Sequence, residues 1–308
     1  MIDWLLFPAL AAPLTFGGVS FDITHGGLAP AASGEAPVIW ANCPNAAVTI
    51  RNHQTTNWSG PLRWTNVMPG SVLISRGSVG EGTAGPTGNL SVPVAMAGGG
   101  TGSWSLRPRE ATGGKVAFTL NVGKAWKASH AAGRAPRFAI AVGGTSLGTA
   151  MTIIRGSGHP TYLLAGLKDD STTVRNRLGT AWGSFSWQGQ HFFLLDNRHH
   201  HLGRTQLAWL ERQVHTAKSS GSKRTWVVLQ RPPVVPGGRG PDGLDDRREA
   251  RKVARLLRGL PGVQIVAGHL RKGTLRRWSG LDVALVGPGE ILWGDLFTPT
   301  AKPLLEKR

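Results

Sequence analysis

The sequence predicts an α+β chain of two domains, an all-β sandwich followed by an α/β domain. Three observations predict it. Upstream of about residue 123, short apolar runs are separated by Gly, Pro, Asn and Ser clusters and carry no helical period. Downstream of residue 137, apolar runs alternate with segments of helical periodicity. Glycine (43) and proline (20) are frequent, which favours turns and short strands. With 308 residues, 40% of them hydrophobic, the chain has room for one large core or two ordinary ones.

The elements follow in order. Residues 1–15 form an apolar N-terminal segment, a signal remnant or an anchor. Ala9, Leu10 and Ala11 resemble a small-x-small cleavage site, but the run carries Asp3 and no basic residue. It is too short to span a bilayer. Residues 16–123 are expected to form the sandwich, with strands at 19–23, 37–41, 47–51, 72–75, 90–96 and 116–122. Residues 124–136 are basic, rich in alanine and contain glycine, as a linker would be.

The second domain is expected over 137–308. Phe138, Ile140 and Val142 open a buried strand that ends at Gly143 and Gly144. Residues 162–165 form another apolar run, and 185–187 with 191–195 read as a hairpin. Residues 202–215 are an amphipathic helix with Leu207, Leu210 and Val214 on one face. Residues 226–229, 263–267 and 283–286 are strands. Residues 245–258 are a helix capped by Asp245 or Asp246, facing the core with Val253, Leu256, Leu257 and Leu260. No internal repeat is evident.

Lys and Arg total 35 against 17 Asp and Glu, a net charge of +18, densest between Arg198 and Arg277. Such a field attracts polyanions, and it also keeps a chain soluble. Arg247, Arg248, Arg251, Lys252, Arg255 and Arg258 form one basic helix face, a solvated face or a contact for an acidic protein, a larger assembly or a membrane surface. No motif for reading nucleic-acid bases is present. A single cysteine, Cys43, rules out an internal disulfide and a multi-cysteine zinc site. His199, His200 and His201 are consecutive, so their rings diverge, and a solvated loop is expected there. Gly144, Ser146 and Gly148 match the Gly-x-Ser-x-Gly elbow of serine hydrolases, with Asp196 and His269 later in the chain. The upstream strands that such an elbow needs are missing.

Residues 184–197 read Ser-Phe-Ser-Trp-Gln-Gly-Gln-His-Phe-Phe-Leu-Leu-Asp-Asn, and residues 206–211 read Gln-Leu-Ala-Trp-Leu-Glu. Arg231, Pro232 and Pro233 follow, then Gly268 and His269. In this order, over 137–289, these stretches resemble the calcineurin-like metallophosphoesterase family, which includes purple acid phosphatases. The resemblance implies a β-sandwich ahead of an α/β domain whose strand ends hold two metal ions. It also places the ligands. Gly144 and Ser146 stand where Asp and His are expected, Leu167 where the bridging Asp belongs, and Gln230 where a His belongs. His269 is retained, and Arg271 replaces the final His. No Gly-Asn-His lies between Gly166 and Phe185, a stretch that looks too short for the usual helices.

A two-metal centre needs carboxylates and imidazoles to hold its ions about 3.5–4 Å apart. With that shell replaced, the expectation is no metal, no cofactor and no catalytic residue. The chain is then a pseudophosphatase that binds or scaffolds, periplasmic or extracellular, with His269 as a structural histidine. Two enzyme readings stand beside it: a phosphoesterase with a site rebuilt from His269, Asp196 and nearby His, and a hydrolase using Ser146.

Overall fold

The computed structural model describes residues 14–29, 37–76, 82–108, 114–119, 136–144, 146–155, 159–233, 243–244, 246–268, 273–288, 290–295 and 304–306. The expected N-terminal segment (bar its last two residues) and nearly all of the expected linker lie outside them.

The first ten strands are β1 (Leu14–Phe16), β2 (Val19–Thr24), β3 (Gly26–Leu28), β4 (Val38–Ala41), β5 (Ala47–Asn52), β6 (Trp58–Thr65), β7 (Val72–Arg76), β8 (Gly82–Thr83), β9 (Leu90–Met96) and β10 (Thr101–Arg107). They make two sheets, A in the order β1-β2-β5-β10-β7-β8 and B in the order β3-β4-β6-β9. Alternation decides the faces. In β9 and β10 every second residue is buried, as a strand with one solvated face requires. Phe21, Ile50 and Trp104 from sheet A meet Leu62, Trp64 and Val92 from sheet B in one buried cluster.

The remaining described elements are β11 (Lys115–Thr119), β12 (Phe138–Ala141), α1 (Leu147–Arg155), β13 (Thr161–Leu163), α2 (Ser171–Leu178), β14 (Gly183–Trp187), β15 (Gln190–Leu195), α3 (Gly203–Ser219), β16 (Arg224–Leu229), α4 (Arg247–Arg258), β17 (Val263–Ala267), β18 (Thr274–Trp278), β19 (Leu281–Leu285), β20 (Ile291–Asp295) and β21 (Leu304–Glu306). Sheet C runs β13-β12-β11-β20-β21, and sheet D runs β14-β15-β16-β17-β19-β18. The mixed α/β architecture is plain: β11, β12 and β13 are parallel neighbours, as are β15, β16, β17 and β19. β12, β15 and β16 are buried at every position, which suits strands covered on both faces.

Three sequence expectations change. The strand expected at 116–122 as the sandwich's last member runs 115–119 and pairs parallel with β12 and antiparallel with β20, not with β1–β10. Its apolar pattern is that of any buried strand, so the sequence did not reveal its partners. The stretch between Gly166 and Phe185 does hold a helix, α2, of eight residues. Asp170 caps it by accepting from the Thr173 amide at 2.8 Å. A further helix, α1, begins at Leu147, within the Gly144–Gly148 run, where none was expected.

Aromatic rings fill the space between sheets C and D. Phe138 touches Tyr162, Phe185, Trp187 and Phe192, with centroids 5.5–6.4 Å apart. Trp226 packs against Phe118 at 4.8 Å and donates its indole N–H to Gln190 Oε1 at 2.6 Å. Such rings bury large areas and pack edge-to-face or tilted, which suits a layer between two sheets. Outside this layer, α3 and α4 cover sheet D through Leu210, Val214, Val253 and Leu257. α1 and α2 cover sheet C through Met151, Ile154, Val174 and Leu178, joined by Trp40 from β4.

The two pairs of sheets meet along a polar seam. β13 is an edge strand, and its outward N–H and C=O groups would be orphaned on burial. Two asparagines complete them. Asn42 accepts from the Leu163 amide at 2.7 Å and donates to the Leu163 carbonyl at 3.0 Å. Asn66 accepts from the Thr161 amide at 2.7 Å and donates to the Thr161 carbonyl at 2.8 Å. Its Nδ2 also donates to the Ala41 carbonyl at 2.7 Å. Asn66 sits at φ 61°, a left-handed conformation that asparagine tolerates better than most residues. Close by, β3 lies directly on α2: a Cβ at Gly27 would strike the Arg177 backbone. Arg177 also donates to the Leu28 carbonyl at 2.9 Å.

His191 is buried in β15, with its Nδ1 2.8 Å from Ser186 Oγ. Desolvation pushes its pKa down to about 4. The unfolded chain takes up this proton near pH 6.5, whereas the folded chain resists until about pH 4. Acid therefore favours the unfolded state, and stability falls as pH drops from 6.5 to 4. Burial shifts His25 in the same direction. His191 contributes at most about 3 kcal/mol to that loss. Urea denaturation from pH 7 to 4 should show the decline, and His191→Gln should flatten its slope. An unchanged slope in the variant would remove His191 from the account.

Candidate functional site

The C-terminal ends of β12, β13, β15 and β16 converge where the resemblance places a metal centre. Gly143, two residues after β12, sits at φ 85°, and a Cβ there would lie 3.5 Å from Gln230 Cγ and 3.6 Å from the Ala165 carbonyl. Gln230, the residue after β16, is buried between these ends. Its Oε1 accepts from the Asn197 amide at 2.9 Å, and its Nε2 donates to Asp196 Oδ1 at 3.3 Å.

The turn after β15 is locked in the same way. Asn197 donates through Nδ2 to the Arg231 carbonyl at 2.9 Å and accepts from the Arg231 amide at 3.0 Å. Gln206, on the first turns of α3, pairs with the Asp196 amide and carbonyl at 3.0 and 3.1 Å in the amide orientation that satisfies both. Asp196 keeps its carboxylate for Arg198. Arg198 Nε lies 3.0 and 3.2 Å from the two oxygens, and its Nη2 lies 3.0 Å from Oδ2. Both side chains are nearly sealed, at 4% and 10% exposure for Arg198 and Asp196. Arg198 Nη1 donates across to the Asp169 carbonyl, and Arg231 Nε donates to the Arg198 carbonyl at 3.0 Å.

Asp169 is a residue the sequence reading missed. Its carboxylate accepts from the Gly166 amide at 2.7 Å and from the Leu147 amide at 3.1 Å to each oxygen. It therefore ties the turn after β13 to the start of α1, where a negative charge is favoured. The sequence offered one signal, a Gly-Leu-Lys-Asp-Asp turn followed by a capping pattern.

Of the expected degenerate positions, Gly144 and Ser146 are exposed and Leu167 is half-buried in the turn after β13. Gln230 is the centre of the amide network. His269 and Arg271 lie outside the described residues. Ser146 Oγ donates to Thr149 Oγ1 at 3.0 Å, and the carboxylate that a serine triad would need is held by Arg198. His201 Nδ1 lies 2.6 Å from the His199 carbonyl, in a loop where both residues are exposed. Among the described residues, no three His, Cys, Asp or Glu side chains cluster around a point that could hold a metal ion. A carboxylate clasped by a guanidinium beside a neutral amide does not fit a two-metal centre. The described arrangement ties the strand ends together through side-chain and backbone hydrogen bonds.

The basic helix lies on the far side of sheet D. Val253, Ala254 and Leu257 face inward, while Arg247, Arg248, Arg251, Lys252, Arg255 and Arg258 are exposed. Asp246 caps it, accepting from the Arg248 amide at 2.7 Å. Lys252 pairs with Glu211 of α3 at 2.5 Å, and Arg258 Nε donates to the Ala254 carbonyl at 3.3 Å. Glu249 turns away from the basic face and accepts from the Leu202 and Gly203 amides at 2.7 and 3.2 Å, capping α3 from its neighbour. Arg276 and Arg277 on the edge strand β18 are also exposed.

No family model matches the chain, and no curated protein matches it. Solved structures do. GAP50 of Plasmodium, described as the anchor in the inner membrane complex, is 13% identical with a TM-score of 0.40, over 57% of this chain and 72% of that one. Purple acid phosphatase PPD1 from yellow lupin (Lupinus luteus) seeds is 10% identical with a TM-score of 0.47, over 92% and 71%. The protein TT1561 of Thermus thermophilus is 12% identical with a TM-score of 0.40, over 63% and 99%. All three scores lie below 0.5, so no residue role passes from these proteins to this chain. No helix among the described residues is long and apolar enough to cross a membrane.

Proposed function

We propose that this chain is a non-catalytic, metallophosphoesterase-like scaffold, a β-sandwich domain followed by an α/β domain, that uses a basic surface to hold an acidic protein or an anionic membrane face. The observation that carries the reading is Gln230. Its amide is satisfied at both ends, by Asn197 and Asp196, in the place where an imidazole would face a metal. The neighbouring carboxylate is held by Arg198. Strand ends so joined keep the scaffold in shape without an ion. The contact surface is the exposed face of α4, with Arg247, Arg248, Arg251 and Arg255 foremost, since Lys252 and Arg258 already have partners. A periplasmic or extracellular location belongs to this proposal.

The test uses the full chain. Binding to poly-glutamate at low salt, followed by fluorescence anisotropy, should weaken about tenfold or more in an Arg251→Glu, Arg255→Glu double variant and fall steeply with added salt. Vesicles containing phosphatidylserine, run in parallel, distinguish a membrane face from a protein partner. Manganese-dependent hydrolysis of para-nitrophenyl phosphate that His269→Ala abolishes would sink the proposal and install the phosphoesterase. Esterase activity that Ser146→Ala abolishes would install the serine hydrolase instead.

A further inference from the structure

We infer a second anion site, remote from α4, in the groove between the outer face of sheet B and the end of α1: it takes a small organic phosphate or phosphonate. The floor is a row across three strands, because Val38, Arg63 and Ser91 stand in register on β4, β6 and β9. Trp64 and Leu90, one residue along, turn to the core, so Arg63 and Ser91 face outward. Arg155, the last residue of α1, forms the wall. Thr65 and Asn89 close one end, joined by a hydrogen bond of 2.9 Å. The cavity measures about 450 Å³, within the range of small-molecule sites.

The charges are what call for a ligand. Among the described residues, neither the Arg63 nor the Arg155 guanidinium has a hydrogen-bond or ion-pair partner. Two like charges lining one concavity repel each other and raise its positive potential, and an anion relieves both effects. Planar guanidinium forks match the oxygens of a phosphoryl group in pairs. Ser91 offers a hydroxyl beside Arg63. The carbonyl end of α1 disfavours negative charge, so the head sits between the two guanidinium groups and not on the helix axis. A bare phosphate would leave most of the volume empty. Val38, part-exposed on the same row as Arg63 and Ser91, supplies an apolar contact for a small organic body attached to the head.

Phenylphosphonate is the probe, since its carbon–phosphorus bond resists phosphatases and binding is then read without turnover. Calorimetric titration of the full chain should give one saturable equivalent, bound more tightly than inorganic phosphate. Arg63→Gln and Arg155→Gln, both at exposed positions, should each weaken it about tenfold. The Arg251→Glu, Arg255→Glu variant should leave it unchanged. No saturation by about 10 mM, affinity unaltered by either glutamine variant, or equal weakening by the charge reversal on α4 would each overturn the inference. The last of these would show a general positive field in place of a site.

Discussion

Asn66→Ala lowers the stability of the folded chain by about 4 kcal/mol. The figure has two parts. Three buried hydrogen bonds to Ala41 and Thr161 disappear, at roughly 1 kcal/mol each. Alanine at φ 61° adds about 1 kcal/mol of backbone strain. Asn66→Gly separates them, since glycine adopts that conformation freely and should lose about 3 kcal/mol. Urea denaturation followed by tryptophan fluorescence reads both variants. A loss below about 1 kcal/mol in Asn66→Ala would mean that water replaces the amide and that the seam does not depend on it. Asn42→Ala, at the other end of the same edge strand, should give a loss of the same kind without the strain.

Arg198→Ala is expected to cost about 3–5 kcal/mol, because it strands the Asp196 carboxylate at 10% exposure with no cation. The Asp169 carbonyl loses a donor at the same time. The informative variant is the pair Asp196→Asn with Arg198→Met. It removes both charges, keeps an amide for Gln230, and should recover most of the loss. Recovery identifies the ion pair as one that a less polar arrangement can replace. If the double variant stays as unstable as Arg198→Ala, the guanidinium matters for its bridge to Asp169 and not for the carboxylate.

Much of the α/β part was legible because its signals are local. The 185–195 hairpin, the strands ending at Leu229 and Ala267, and the helices over α3 and α4 lie where periodicity and the Asp246 cap put them. What escaped depends on partners. Residues 115–119 carry the apolar pattern of a buried strand, and nothing in it distinguishes a sandwich from sheet C. α2 was missed because eight residues, only two of them buried, give a weak period. Asn42 and Asn66 read as turn residues, since their work is done across the fold on a strand far along the chain. At the candidate site, Gln230 was singled out because the resemblance expects a His in its place. Arg198 and Asp169, which tie the neighbouring strand ends, were not: one acts through its neighbour's carboxylate and the other through two backbone amides.

The placing of β11 between β12 and β20 bears on how the chain reaches its fold. β20 is among the last described strands, while β11 opens the α/β part, so sheet C pairs the two ends of that part. On a ribosome, strands β1–β10 can pair as soon as they emerge. β11 can pair with β12, but its other edge stays open until residue 295 is made. Pairing strands so far apart in sequence carries a loop-closure cost that local pairs avoid. The vulnerable species in synthesis is therefore a chain extended to just short of residue 291 with one edge of β11 exposed, and its protection rests with whatever covers that edge before β20 arrives.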